Sequence, residues 1–208
     1  MSNVWLTDVV KILRRAGVEA EGLTHKRGRY AGQSWKQVGW NGLGYDAFKG
    51  IMWHHDASPE GDSPGALDWC MYDAFGFPPA AAAWVDRRGK WWVYAAGRTN
   101  HAGIGTSALS GPDNGNAVFF GIETDHNTGE AWPEAQVSSL RRGTAAILRA
   151  YKLDPRVALI GHKEYAPGRK NDPDGLDMPA ERRRVAKLVS TPQTGWRALL
   201  IKWFSRKG

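Results

Sequence analysis

Apolar positions along this chain change their period several times, and each change marks an element. Trp5, Val9, Ile12 and Leu13 share one face at helical spacing, so a first amphipathic helix is expected after the Ser2–Asn3 cap signal, ending at Gly17. Residues 18–48 hold many glycines and sustain no period, which predicts an irregular segment with at most a short helix. The run "KGIMWHHD", Lys49 to Asp56, reads as a short apolar strand ending in two histidines. Residues 58–66, "SPEGDSPGA", read as a loop. "AAAAWVDRRGKWWVYAAG" gives two apolar arms around Asp86–Gly89, the pattern of a hairpin. After loop-like residues 102–116, "AVFFGIETD" predicts a buried strand ending in acids.

Pro133 falls where the first turn of a helix favours proline, and Val137, Leu140, Ile147, Leu148 and Tyr151 then recur at helical spacing. "RVALIGH" predicts a further strand and "PAERRRVAKLVS" a final basic helix. This mixture predicts an α/β fold, a single domain with a central mixed β-sheet flanked by helices.

Composition agrees. A chain of 208 residues, 42% hydrophobic, is long enough to bury one substantial core. Residues 46–190 are read as that core, 1–45 as a helix and irregular segment of the same domain, and 191–208 as a basic aromatic tail. No stretch approaches the ~20 apolar residues that span a bilayer. The N-terminus lacks a leading basic region and a small-residue cleavage site, so synthesis in the cytoplasm without a signal peptide is expected. The lone Cys70 excludes an internal disulfide framework and reads as a small buried side chain.

Charge is unevenly placed. From Lys152 onward there are 13 basic and 6 acidic residues, which accounts for the whole net charge of +7. A cationic end on a neutral body suits a polyanion: nucleic acid, an anionic membrane surface or an acidic wall polymer. Plain solubility is the rival explanation.

Candidate chemistry concentrates in "IMWHHDAS" and "GHKEYAPGRKNDPDG". A catalytic zinc site takes three protein ligands and leaves a fourth position open. His54 or His55 can supply one nitrogen, His162 another and Asp172 an oxygen. Neighbouring strand residues face opposite sides, so at most one of the histidine pair is a ligand. Blander readings stand beside these. A histidine ending an apolar strand is commonly structural, and Lys170 with Asp172 could be a solvated loop pair. Glu123 could simply end an exposed strand, and Asp125, two residues further along the same face, is a second carboxylate there. His101 and His126 read as surface or groove residues rather than ligands, and His25 has no supporting context. Trp91 and Trp92 read as sheet packing, with one facing outward.

Four blocks in order, "MWHHDAS", "YAAGRTNHAG", "FFGIETD" and "GHKEYAPGRKNDP", resemble the zinc-dependent N-acetylmuramoyl-L-alanine amidases of the type-2 amidase family. That family includes phage lysins and is related to the peptidoglycan recognition proteins. The resemblance covers residues 51–173 and implies Zn²⁺ held by His54, His162 and Asp172. It implies Lys170 as the catalytic lysine, Glu123 as a carboxylate acting on the attacking water, and His101, with His55, near the substrate. The implied activity is cleavage between the muramyl lactyl group and L-alanine by a phage endolysin, a monomer acting on the wall after release. Its expected partners are the muropeptide substrate and an anionic wall polymer met by Arg182, Arg183, Arg184 and Lys187, with no nucleic acid. Two alternatives remain: a non-catalytic peptidoglycan-binding module of the same fold, and a basic nucleic-acid-binding regulator, for which no recognised motif is present.

Overall fold

A computed structural model of the chain describes residues 3–59 and 63–191. Six short strands form one sheet: β1 (Ala20–Gly22), β2 (Gly50–Trp53), β3 (Ala83–Val85), β4 (Trp91–Val93), β5 (Phe119–Thr124) and β6 (Leu159–Gly161). Their order is β1-β4-β3-β5-β2-β6, and every neighbouring pair is parallel except the β3–β4 hairpin. The helices are α1 (Val9–Arg15), α2 (Ser63–Asp68), α3 (Gly115–Val118), α4 (Glu134–Ala150), α5 (Pro155–Ala158), α6 (His162–Tyr165) and α7 (Met178–Ser190). The mixed sheet and flanking helices agree with the pattern of the sequence.

Side-chain alternation gives the sheet two different faces. One face presents Ile51 and Trp53, Ala83 and Val85, Trp91 and Val93, and Phe120 and Ile122 to the principal core, shared with α1, α4 and α7. Gly143 of α4 lets that helix settle on the sheet, since a Cβ there would lie 2.3 Å from Trp91 Cζ2. The other face is broken into two smaller clusters. Trp84 and Tyr94 pack with Cys70 and Met71, while Met52 and Phe119 pack with Ala102 and Tyr165. His54, Glu123 and His162 emerge on this second face, between the two clusters. Trp92 is the outward member of its pair, with the Lys90 ammonium 3.6 Å over its ring.

Several boundaries differ from expectation. The first helix starts at Val9, because Val4 is already bridged to Tyr45 and Asn3 Oδ1 accepts from the Gly44 N–H at 2.7 Å. Residues 18–48 contain β1, a three-residue strand beside β4, besides three single 3₁₀ turns. The 58–66 loop gives way to α2 at Ser63, which continues as a π turn over Trp69–Asp73. Pro133 is the N-cap of α4 rather than a first-turn residue. The strand expected over "RVALIGH" shrinks to β6, because Pro155 and the Asp154 cap turn residues 155–158 into α5. The basic aromatic tail lies outside the described residues from 192 onward. Among the described residues no helix is long and apolar enough to cross a membrane.

Candidate metal centre

The parallel strands β2, β5 and β6 end side by side, and each delivers a polar residue at or just beyond its C-terminal end. His54 continues the β2 ladder by donating its N–H to Ile122 O at 2.9 Å. His162 follows β6 and opens α6. Asp172 arrives from the loop after α6, pinned by the Lys163 N–H bonded to its own carbonyl at 2.7 Å. Among the described residues these three form the one group of side chains arranged to hold a metal, and all are buried.

The geometry is tight. His54 Nδ1 lies 2.9 Å from His162 Nδ1 and 3.1 Å from Asp172 Oδ2, while His162 Nδ1 lies 3.0 Å from the same oxygen. The far nitrogen of each ring is engaged elsewhere. His162 Nε2 is 2.9 Å from the Ala102 carbonyl, which can only accept, so in a neutral ring Nδ1 keeps its lone pair. With His54 likewise protonated at its far nitrogen, three acceptor atoms face one another across about 3 Å, an arrangement that holds only around a cation. A cation relieves that repulsion: four ligands about 2.0–2.1 Å from a tetrahedral zinc stand roughly 3.3 Å apart, close to this triangle. The donor set, two imidazoles and a carboxylate, suits zinc.

Electrostatics favour the ligating protonation states. Burial, reinforced by neighbouring His162, lowers His54 to a pKa of about 4, so it is neutral at pH 7. Burial opposes ionisation of Asp172, yet in the metal-free site a proton or positive charge on His162 and His54 outweighs that and holds its carboxyl well below the usual carboxylate range, the place a bound cation would take.

Glu123 and Lys170 flank the triad. Glu123 is part-exposed as a residue, but its Oε2 is buried and has no hydrogen-bond partner. Burial, then the charges of Asp172 and Asp56, push its carboxyl well above the usual range, while Lys170 works the other way. Lys170 is exposed at the rim, and its charge is felt at both Glu123 and His54.

The other candidates separate. His55 faces away from the triad: its Nδ1 accepts from the Asp174 N–H at 3.1 Å and its Nε2 lies 3.2 Å from Thr128 Oγ1. It braces the loop carrying Asp172. His101, expected in the groove, is buried behind His54, its Nδ1 at 3.0 Å from His54 Nε2. Asp125 is taken up by Ser58 and Arg87, and His126 is buried in a stack on Trp132. His25 bonds to the Tyr94 carbonyl at 2.8 Å, away from the triad.

Sequence reasoning missed the residues holding the ligands in place. Asn116 Oδ1 accepts the His101 and Ala102 N–H groups at 2.9 and 2.8 Å, and Lys163 Nζ donates to the Pro173 and Leu176 carbonyls at 2.8 and 2.7 Å. A lysine or asparagine in a loop carries no periodic signal; only the fold gives it partners.

Comparison with known proteins adds an independent line. Residues 44–175 match the profile of a family described as N-acetylmuramoyl-L-alanine amidase. A search of curated proteins found no significant match. Among solved structures, the chain resembles AmpD at 24% identity and a TM-score of 0.53, over 66% of this chain and 84% of that one. It resembles N-acetylmuramoyl-L-alanine amidase LysC from Clostridium intestinale at 21% identity and a TM-score of 0.51, over 68% and 86%. The amidase AmiD from E. coli, in complex with the substrate anhydro-N-acetylmuramic acid-L-Ala-D-γ-Glu-L-Lys, aligns at 20% identity and a TM-score of 0.52, over 62% and 53%.

Proposed function

This chain belongs to the N-acetylmuramoyl-L-alanine amidase family, and we propose that it is a zinc-dependent hydrolase of peptidoglycan acting as an endolysin. The bond cut is the amide between the lactyl group of N-acetylmuramic acid and L-alanine. The observation that carries the zinc requirement is the convergence of His54 Nδ1, His162 Nδ1 and Asp172 Oδ2 within 3.1 Å of one another. The complete triad argues against a non-catalytic binding module. The muropeptide found with AmiD supports the same substrate class for this chain.

Held by His54, His162 and Asp172, a divalent cation would supply Lewis acidity toward the scissile carbonyl and would lower the pKa of a water at the site. The surrounding residues do the rest. Glu123, held at a raised proton affinity, accepts a proton from the attacking water and passes one to the leaving nitrogen. The hydroxyl adds to the carbonyl carbon, the C–N bond breaks, and a lactyl carboxylate and a free L-alanine amine result. Lys170 offers a positive charge to the oxygen that turns negative at the intermediate.

The cationic part of the chain supports contact with an anionic wall polymer, and the fold refines which residues can make it. Arg182 is bound to Glu164 by two contacts, 2.8 and 2.9 Å, and Arg184 to Glu181 at 2.6 Å. Arg183 and Lys187 instead line an open groove of about 640 Å³ with Arg149, Lys152 and Arg156, against a single acid, Asp154.

Digestion of purified peptidoglycan tests the reading. Release of peptides with a new N-terminal L-alanine, without new reducing sugar ends, is expected. New reducing ends, or no release by zinc-loaded protein, would overturn it.

A further inference from the structure

Both histidines of the triad must present the same nitrogen, Nδ1, and the two ring tautomers are close enough in energy that a hydrogen bond to the other nitrogen decides between them. The choice traces to one dipeptide. His101 Nε2 lies 3.1 Å from the Phe119 carbonyl, an acceptor, so that nitrogen carries the proton. In a neutral ring His101 Nδ1 is then an acceptor, and the His54 Nε2–H at 3.0 Å donates to it. The reverse tautomer of His101 would set a ring lone pair against the Phe119 carbonyl lone pair. A doubly protonated His101 would force the His54 proton onto Nδ1. Only one arrangement leaves the His54 Nδ1 lone pair free.

The next residue does the same for the other ligand. The Ala102 carbonyl accepts from His162 Nε2–H at 2.9 Å, leaving His162 Nδ1 free. His101 and Ala102 are fixed together because Asn116 Oδ1 accepts both of their N–H groups. Asn116 Nδ2 in turn donates to Asn100 Oδ1 at 3.1 Å. Space is reserved as well: a Cβ on Gly121 would lie 2.6 Å from His101 Cγ, so β5 needs glycine beneath the ring.

We infer that Asn116, through the His101–Ala102 dipeptide, is the positioning residue that sets the tautomer of both histidine ligands and so makes Nδ1 of each available to the metal. The inference rests on the zinc reading above. It adds that the selection is made from a side chain on α3 that touches neither the cation nor the triad. Ligand orientation by hydrogen-bonded neighbours typically changes metal affinity ~10–100-fold.

The test compares Asn116→Asp, which keeps an acceptor for both N–H groups, with the near-isosteric Asn116→Leu, which keeps none. Zn²⁺ affinity is read by chelator competition, and folding by circular dichroism. The expected result is a ~10–100-fold loss of Zn²⁺ affinity in Asn116→Leu, with Asn116→Asp close to wild type. Equal affinity in all three proteins would overturn the inference, and so would equal losses in both variants. Should Asn116→Leu fail to fold, nitrogen NMR of the zinc-loaded wild type decides alone. A slowly exchanging His54 Nε2–H coupled to His101 Nδ1 is expected, and a His101 ring protonated at Nδ1 contradicts the inference. Wild type that binds no Zn²⁺ would instead sink the zinc reading itself.

Discussion

Under the proposed mechanism, Glu123 would serve catalysis at the expense of the fold. Its Oε2 is buried without a partner, and its carboxyl is pushed well above the ordinary range, chiefly by burial. The sign follows from linkage. With a raised folded-state pKa, the penalty is absent below the unfolded value and complete above the folded one. Metal-free Glu123→Gln should therefore melt higher than metal-free wild type at neutral pH, by on the order of 1–3 kcal/mol, with the gap closing in acid. The same variant, loaded with zinc, should lose roughly 10²–10⁴ in kcat and the acid limb of its pH profile. Thermal melts across pH and a pH–rate series check the two halves. A variant that is no more stable and keeps its acid limb would remove Glu123 from the role.

Among the elements, the loop after α6 does the most with the least regular structure. It carries Asp172, and it is tied down by the Lys163 ammonium on two carbonyls and by His55 on the Asp174 N–H. Lys163→Met should leave the sheet intact, lower overall stability by about 1–3 kcal/mol, and weaken zinc binding by slackening the loop. Denaturant unfolding and metal competition measure both; unchanged metal affinity would show that His55 alone suffices. The loop also marks the limit of what the sequence discloses. Dense apolar runs such as Ile51–Trp53 and Phe119–Ile122 announced their strands, and α4 and α7 announced themselves by period. β1 did not, because three residues beside a neighbouring strand leave no period to read. His54, His162 and Asp172 could be picked out from motif order. His101 looked like a groove residue, since only the fold places Gly121 beneath its ring and His54 within 3.0 Å of it.

Over the whole molecule, the candidate metal centre and the basic groove occupy opposite ends of the sheet. α5 enters β6 from the groove side, and His162 leaves β6 at the centre. α7 begins beside Gly161 and runs 13 residues to Ser190 in the groove, about 20 Å at the usual rise. A polymer held in the groove therefore leaves the metal centre open. Neutralising Arg183 and Lys187 to glutamine should weaken co-sedimentation with intact walls, most at low salt, while leaving turnover of a soluble muropeptide unchanged. Some of these cations also complement the C-terminal ends of α4 and α7, so equal losses in both assays would mean that they serve the fold instead.

The central claim, three acceptor atoms gathered around one divalent cation, is tested most directly by the zinc content of the folded protein after exhaustive dialysis. Wild type should retain one zinc per chain, and His162→Ala and Asp172→Ala, still folded by circular dichroism, should retain almost none. Wild type without stoichiometric metal, or variants holding zinc as firmly as wild type, would contradict the account.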